Sequence, residues 1–311
     1  MSKILISGAN GFVGLNLSNY LAKAGNEIYP LSRNAGKQEN NVLWSDLERI
    51  SVLKIDVFIH LAGKAHDLKN TSEPDEYFKV NTDLTIKLFS QFLKSTASVF
   101  IYFSSVKAAA DTVENILSED VVPNPKTVYG QSKFKAEQYL LAQTLPPEKK
   151  LYILRPCMIH GPGNKGNLNL LYRFVSKGIP YPFAAFENKR SFLSISNLCF
   201  IVEKLAGAVS PVGGIYNIAD DVPLSTNEVI IIIAETNHLK SKLWKINRKL
   251  IEQIAFVGDK LRLPINTERL KKLTENYVVS NSKIKKALAI SHLPISSADG
   301  LKSTISSFQN Q

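Results

Sequence analysis

Short apolar runs alternate with stretches of helical spacing through the first half of the chain. Residues 3–7 (KILIS) form a β-prone run, and residues 15–24 place Leu15, Leu17 and Leu21 on one side of a helix. Further strand-like runs fall at 27–32, 42–44, 57–62, 99–104 and 151–154, and amphipathic helical stretches at 77–93 and within 123–145. Alternation of this kind predicts a parallel sheet with helices on both faces. Pro30 is awkward inside the second strand, because proline removes a ladder donor.

After His160 the texture changes. Residues 161–166 (GPGNKG) read as a loop, followed by a helix at 168–177, a Pro/Phe-rich turn and an extended piece at 190–193. Residues 214–219 are again strand-like, 226–235 helical, and 239–308 mostly helical. The expected fold class is α/β: a Rossmann-type doubly wound parallel sheet with a smaller, mostly helical C-terminal substrate domain. The expected division is a dinucleotide-binding domain over 1–160, to which 191–219 returns, and a substrate-binding cap over 161–311.

Composition narrows the class. The 311 residues are ordinary for a globular protein, and no apolar run approaches the ~18 residues of a membrane span. Two cysteines, Cys157 and Cys199, stand in apolar surroundings and read as buried thiols; with an N-terminus that enters a strand at once, they fit a cytoplasmic location. The net charge is +11, with much of the excess between Lys240 and Lys286. Such a surface could bind nucleic acid or an anionic membrane. The basic residues there are dispersed among Leu, Ile and Val at helical spacing, which favours a solvated face that attracts a polyanionic small substrate, with no nucleic acid as partner.

Three motifs carry chemistry. First, Gly8-Ala9-Asn10-Gly11-Phe12-Val13-Gly14 stands between the first strand and the first helix, the context of a dinucleotide-binding turn. Gly8 allows the tight turn, Gly11 lets backbone approach a pyrophosphate, and Gly14 lets the helix lie against the strand. The helix N-terminus then offers free N–H groups to the phosphates. Second, Tyr129 and Lys133 lie four apart on one helix face. Bringing a tyrosine from its ordinary pKa of about 10 to near 7 takes about 4 kcal/mol. A neighbouring ammonium and a cationic nicotinamide are expected to supply it, so that Tyr129 exchanges a proton near neutral pH. Third, the fifth strand runs into Ser104-Ser105 at the edge where such sheets bind ligands.

The glycine turn, the strand-end serine and the Tyr/Lys pair occur in one order along the chain. Asp46-Leu47, His60-Leu61-Ala62-Gly63, Val80-Asn81-Thr82, Leu154-Arg155-Pro156, Gly161-Pro162-Gly163 and Arg190-Ser191-Phe192 accompany them. Together they resemble the extended short-chain dehydrogenase/reductase family, the NAD-dependent epimerases and dehydratases of nucleotide sugars, over roughly residues 3–310. The resemblance implies that Gly8, Gly11 and Gly14 hold the pyrophosphate and that Asn10, Phe12 and Val13 also bind the cofactor. Asp46 and Leu47 meet the adenine, Leu61, Ala62 and Gly63 line the cofactor, and Asn81 steadies the strand ends. It implies Ser105, Tyr129 and Lys133 as the catalytic set, with Lys133 on the nicotinamide ribose. Ser105, Lys107, Asn167 and Arg190 fall on the substrate side. It also implies a homodimer formed through the helices at 77–93 and 123–145.

Departures from the family pattern sharpen the expectation. Dehydratases place Asp-Glu after the catalytic threonine, whereas Val106-Lys107 follow Ser105 here. Epimerases that retain NAD end the second strand in an acid, whereas Ser32 and Arg33 stand here, a pair suited to a 2′-phosphate. The stretches SSVK, GPGNKGN and KRSFLSISNL resemble the bacterial subgroup that reduces UDP-4-keto-6-deoxy-N-acetylhexosamines. The sequence thus points to a UDP-sugar substrate for surface polysaccharide, with NADP(H) favoured over NAD(H) and no metal. A UDP-hexose 4-epimerase with retained NAD is the alternative, and a non-catalytic dinucleotide-sensing or RNA-binding relative a more distant one.

Overall fold

A computed structural model describes residues 1–34, 40–64, 73–164, 166–207, 211–261 and 266–309. The strands are β1 (Lys3–Ser7), β2 (Glu27–Ser32), β3 (Val42–Leu43), β4 (Val57–His60), β5 (Val99–Phe103), β6 (Ile116–Leu117), β7 (Lys150–Pro156), β8 (Met158–His160), β9 (Phe192–Ser194), β10 (Gly214–Ile218) and β11 (Val278–Val279). Seven of them make one sheet in the order β10-β7-β5-β4-β1-β2-β3, with every neighbouring pair parallel. The doubly wound parallel sheet expected from the alternation is therefore the fold. The two remaining pairs, β6 with β11 and β8 with β9, tie the second half of the chain to the first.

The helices are α1 (Phe12–Lys23), α2 (Pro74–Phe78), α3 (Leu84–Lys94), α4 (Val128–Leu141), α5 (Asn167–Ser176), α6 (Ile195–Ala206), α7 (Thr226–Thr236), α8 (Arg248–Leu261), α9 (Thr267–Thr274), α10 (Ser282–Ala287) and α11 (Ser297–Gln309). The single helix expected at 77–93 is α2 and α3 joined by a π turn at Lys79–Asp83. A π turn gives one residue more per turn and is common where a side chain must be re-aimed. Here it carries the buried Asn81.

Central strands are buried on both faces, as in other all-parallel sheets: every residue of β4 and β5 is buried. One core cluster packs α1 and α6 on one face, with Ile4, Ile6, Leu17, Leu21, Leu198 and Ile201. Another packs α3 and α4 on the other, with Leu5, Phe58, Leu88, Phe89, Phe100 and Leu140. A third, built from Leu168, Phe183, Phe192, Ile230, Ile251, Leu301 and others, lies wholly in residues after 160. Pro30 finds its place in the register. β3 pairs only with Leu31 and Ser32, so just before them β2 has an edge on which a missing N–H is tolerated. Among the described residues no helix is long and apolar enough to cross a membrane.

Candidate active site

The chain leaves β1 at Ser7 and turns at Gly8, whose φ of +72° lies in the left-handed region that favours glycine. A Cβ there would also stand 2.8 Å from the Ala62 nitrogen, where the loops after β1 and β4 meet. That meeting point is the topological switch of the sheet, since the chain winds outward from it in both directions. A Cβ on Gly14 would lie 2.2 Å from the Gly8 carbonyl oxygen, so α1 rests on the turn. Around Gly11 an added Cβ would meet, among the described residues beyond its chain neighbours, the Gly8 oxygen at 3.3 Å. Gly11 caps α1 without a side-chain bond, and the first turn holds no acid. Exposed Asn10 and Gly11, with the orphan N–H groups of Phe12, Val13 and Gly14, form a bare helix N-terminus that fits a diphosphate. The Gly161–Gly163 loop closes on it: Asn16 Nδ2 donates to the Pro162 carbonyl at 3.2 Å.

At the end of β2 the Ser32 hydroxyl lies 2.6 Å from the Asn34 carbonyl oxygen and 2.9 Å from Asn41 Oδ1, and Arg33 is exposed. Asp46 is exposed, whereas the Leu47 side chain is buried in the core beneath.

The exit from β4 is held by a directed chain of hydrogen bonds. The Ala62 N–H donates to Ser7 Oγ at 3.1 Å, and Ser7 Oγ lies 2.6 Å from His60 Nδ1. His60 Nε2 lies 3.0 Å from Thr85 Oγ1, whose own proton goes to the Asn81 carbonyl at 2.7 Å. Thr85 must therefore accept from His60 Nε2–H, which leaves Nδ1 to accept from Ser7. The ring is neutral: burial, reinforced by the Lys133 charge, lowers its pKa from 6.5 to about 3. Leu61 is held by its N–H to the Ser7 carbonyl at 3.1 Å. Asn81 grips both backbone groups of Lys64, at 2.7 and 3.0 Å, and donates to Ser132 Oγ at 2.9 Å. One buried side chain thus joins the β4 exit to α4. A Cβ on Gly63 would lie 2.9 Å from Lys133 Nζ and 3.0 Å from Asn81 Oδ1, so the loop passes close over both.

Thr127 caps α4, accepting from Gly130 N at 3.2 Å, and is fixed in turn by Asp111. A Cβ on Gly130 would be 2.4 Å from the Lys107 carbonyl oxygen. That close approach lays the start of α4 on the 3-10 turn after β5, which Ser105 caps. Ser105 and Tyr129 are brought together there: the Ser105 side chain is near enough to favour ionisation of the phenol, while its Oγ accepts from the Lys107 N–H at 3.2 Å. Lys133, one turn on, is buried; its Nζ donates to the Phe103 carbonyl at 2.8 Å and stands 5.0 Å from the Tyr102 ring centroid.

Electrostatics at Tyr129 are set first by burial, which raises its pKa above the ordinary 10, and the nearby Ser105 hydroxyl only partly offsets this. The Lys133 ammonium is committed to the Phe103 carbonyl. Burial lowers Lys133 itself to about 8, with Glu137 opposing. Burial thus favours the protonated phenol at Tyr129, the form that can give a proton.

Sequence reasoning missed the anchor below this set. Ser104 donates to Glu137 Oε1 at 2.5 Å, and Arg155 makes a two-pronged bond to the Glu137 carboxylate, at 2.9 and 2.5 Å. Glu137 and Arg155 are 0% and 1% exposed, which makes this a desolvated ion pair clamping α4 to β7. The available signal was the continuation of Tyr129 and Lys133 by Glu137 at the next i+4 step.

On the far side Lys107 Nζ donates to the Asp111 carbonyl at 2.7 Å and lies 4.4 Å from the centroid of the Tyr277 ring. The Arg190 backbone pairs with Leu224 and Tyr277, and its guanidinium is 3.9 Å from the Glu275 carboxylate. Tyr277, which sequence reasoning did not single out, thus meets both residues. Asn167 opens α5; its side chain lies outside the described residues.

Comparison with known proteins places this geometry. Over 241 residues the chain is 32% identical to a UDP-glucose 4-epimerase from Vibrio cholerae, covering 73% of each. It is 31% identical over 170 residues to a UDP-2-acetamido-2,6-beta-L-arabino-hexul-4-ose reductase from Pseudomonas aeruginosa, covering 54% of this chain and 38% of that protein. Its fold matches the structure of RMD from Pseudomonas aeruginosa complexed with NADPH, with a TM-score of 0.73, 18% identity and full coverage of both chains. Residues 4–219, from the first strand through β10, match the model of the NAD dependent epimerase/dehydratase family, and the chain belongs to that family.

Proposed function

We propose that this enzyme acts on a nucleotide sugar with a nicotinamide dinucleotide, and that it is an NADP(H)-preferring reductase of a UDP-4-keto-6-deoxy-N-acetylhexosamine in surface polysaccharide synthesis. One observation carries the choice of reductase. The end of β2 presents Ser32, its hydroxyl turned onto Asn34 and Asn41, and then exposed Arg33. A carboxylate that would pair with a ribose diol is lacking at that position, and a guanidinium suits a 2′-phosphate by bidentate geometry.

A nicotinamide dinucleotide held at the glycine turn would supply hydride for C4 of the sugar. Tyr129, whose protonated form burial favours, would give its proton to the oxygen on C4, and Ser105, beside the phenol, would orient that oxygen. Lys133, close to where Gly63 passes, would hold the cofactor ribose. Lys107 and Arg190, both against Tyr277, face the substrate phosphates. No acid follows Ser105, since Val106-Lys107 stand there and Lys107 is bound to the Asp111 carbonyl. This argues against elimination of the 6-hydroxyl. In this reading residues 1–160 with 191–219 hold the cofactor, 161–311 cover the sugar, and two copies pair through α3 and α4 in the cytoplasm.

The likeness to the Vibrio cholerae epimerase favours a second reading, a 4-epimerase that retains NAD. Both are tested on one preparation. The protein is denatured and the released nucleotide chromatographed, and native protein is incubated with UDP-4-keto-6-deoxy-GlcNAc and NADPH while absorbance at 340 nm is followed. Little bound nucleotide and NADPH consumption support the reductase. Near-stoichiometric NAD, with interconversion of UDP-GlcNAc and UDP-GalNAc without added cofactor, would refute it.

A further inference from the structure

Helix α8 is apolar on two sides. Ile251, Ala255 and Gly258 form its buried stripe, and the first two belong to the core of the second half. One position back, Leu250, Ile254, Val257 and Leu261 form a second stripe at spacings of four, three and four, which places them on one face. These four are between 43% and 65% exposed, and Phe256 beside them is 57% exposed. Isolated exposed leucines are ordinary; a continuous helical row with a neighbouring phenylalanine is not.

Charge says what covers it. Residues 239–261 carry Lys240, Lys242, Lys245, Arg248, Lys249 and Lys260, all exposed, against Glu252 and Asp259. Asp259 is turned onto Thr267, accepting from its N–H at 3.1 Å and its hydroxyl at 2.6 Å. Lys260 lies 4.9 Å from the Phe256 ring centroid, so cation and aromatic share one edge of the row. A two-fold pairing of this face with itself would oppose basic residues to basic residues. An apolar row on a helix that also carries exposed Lys249 and Lys260 matches an anionic lipid surface, where acyl chains take the row and headgroups take the cations. Part of the basic excess, which reads in the sequence as a solvated face that attracts a polyanionic small substrate, thus shares a helix with an apolar row left exposed among the described residues.

We propose that the α8 face docks the protein reversibly on anionic membranes, lying in the headgroup region without spanning the bilayer. The inference is independent of which nucleotide sugar the enzyme converts.

The test is co-sedimentation of the full chain with vesicles of phosphatidylcholine containing a quarter phosphatidylglycerol, and with phosphatidylcholine alone. Binding is expected with phosphatidylglycerol, and it should weaken at least tenfold between 50 and 500 mM NaCl. The deciding variant is Leu250→Ser/Ile254→Ser, which leaves the charge unchanged. It should cut binding at least tenfold at constant melting temperature, and Lys249→Glu/Lys260→Glu should do the same. Equal binding by the serine variant would mean that the protein's overall positive charge alone draws it to the lipid, and would overturn the proposal. So would absence of binding at 50 mM NaCl, or a concentration-dependent dimer that the serine variant abolishes, which would assign the face to a second copy.

Discussion

The buried His60 makes stability depend on pH by an amount the structure fixes. Its folded pKa, about 3, lies below the unfolded value of 6.5. Between those values the unfolded chain binds a proton that the folded chain refuses, so stability rises with pH through this window and is lost as pH falls below 6.5. The contribution is negligible at pH 8, about 0.8 kcal/mol at pH 6 and about 2 kcal/mol at pH 5, from the linkage relation with those two pKa values. Against a typical total of about 5–15 kcal/mol, the last is a large share. The perturbation is His60→Asn. The amide oxygen can take the Ser7 proton in place of Nδ1, and the group does not titrate. The variant loses the ring contact with Tyr102, whose centroid is 5.8 Å away, so its absolute stability differs; the pH dependence is the observable. Urea titrations followed by circular dichroism at pH 8 and pH 5 give both quantities. Wild type should lose about 2 kcal/mol more than the variant between the two pH values. The other histidines and the carboxylates contribute equally to both proteins and cancel. A difference below about 0.5 kcal/mol, the size of ordinary non-additivity, would show that His60 is not held neutral as its hydrogen bonds require.

Three further outcomes follow from the site. Tyr129→Phe should lower turnover by about 10²–10⁴ while cofactor binding persists, and a variant keeping a tenth of the wild-type rate would contradict an acid at that position. Arg33→Ala should raise the KM for NADPH more than that for NADH; equal effects would return the NAD-retaining reading to favour. Glu137→Gln leaves the Arg155 charge buried without its counter-charge and should cost about 3–5 kcal/mol in urea titrations. Because Glu137 raises the Lys133 pKa, the same change should also move the ionisation of Lys133 further below about 8, read as a shift in the pH profile of activity.

The strand pattern made the large sheet legible because central parallel strands are buried on both faces and so read as continuous apolar runs. Boundaries slipped where backbone geometry overrides side-chain pattern. The helix after the glycine turn begins at Phe12 rather than at residue 15, because Gly11 already caps it. The single helix read at 77–93 is broken by a π turn, since hydrophobic spacing does not register one extra residue that re-aims a buried asparagine. Within the site, the pairing of Ser105 with Tyr129 follows motifs near each other in the chain. The Glu137–Arg155 pair joins residues whose partnership only the packing of α4 on β7 reveals. Tyr277 was hidden for the same reason: it lies 170 residues from Lys107 and reaches it through the parallel pairing of β6 with β11. The acceptor of the Lys133 ammonium was hidden for another reason. Spacing shows that an ammonium is near, not which acceptor it prefers.

The order of the strands has a bearing on how such a protein can diverge. Ser32 and Arg33 leave from β2 and Ser105 from the end of β5, with β1 and β4 between them. Three interstrand steps of about 4.8 Å set these two ends roughly 14 Å apart. The material between is a sheet that cannot shear without losing its register. Changes at the β2 end can therefore accumulate without disturbing the geometry of Tyr129, and changes around Tyr129 need not disturb the β2 end. Lineages built on this sheet are free to exchange one trait while keeping the other, and a designer can treat the two ends as separate dials.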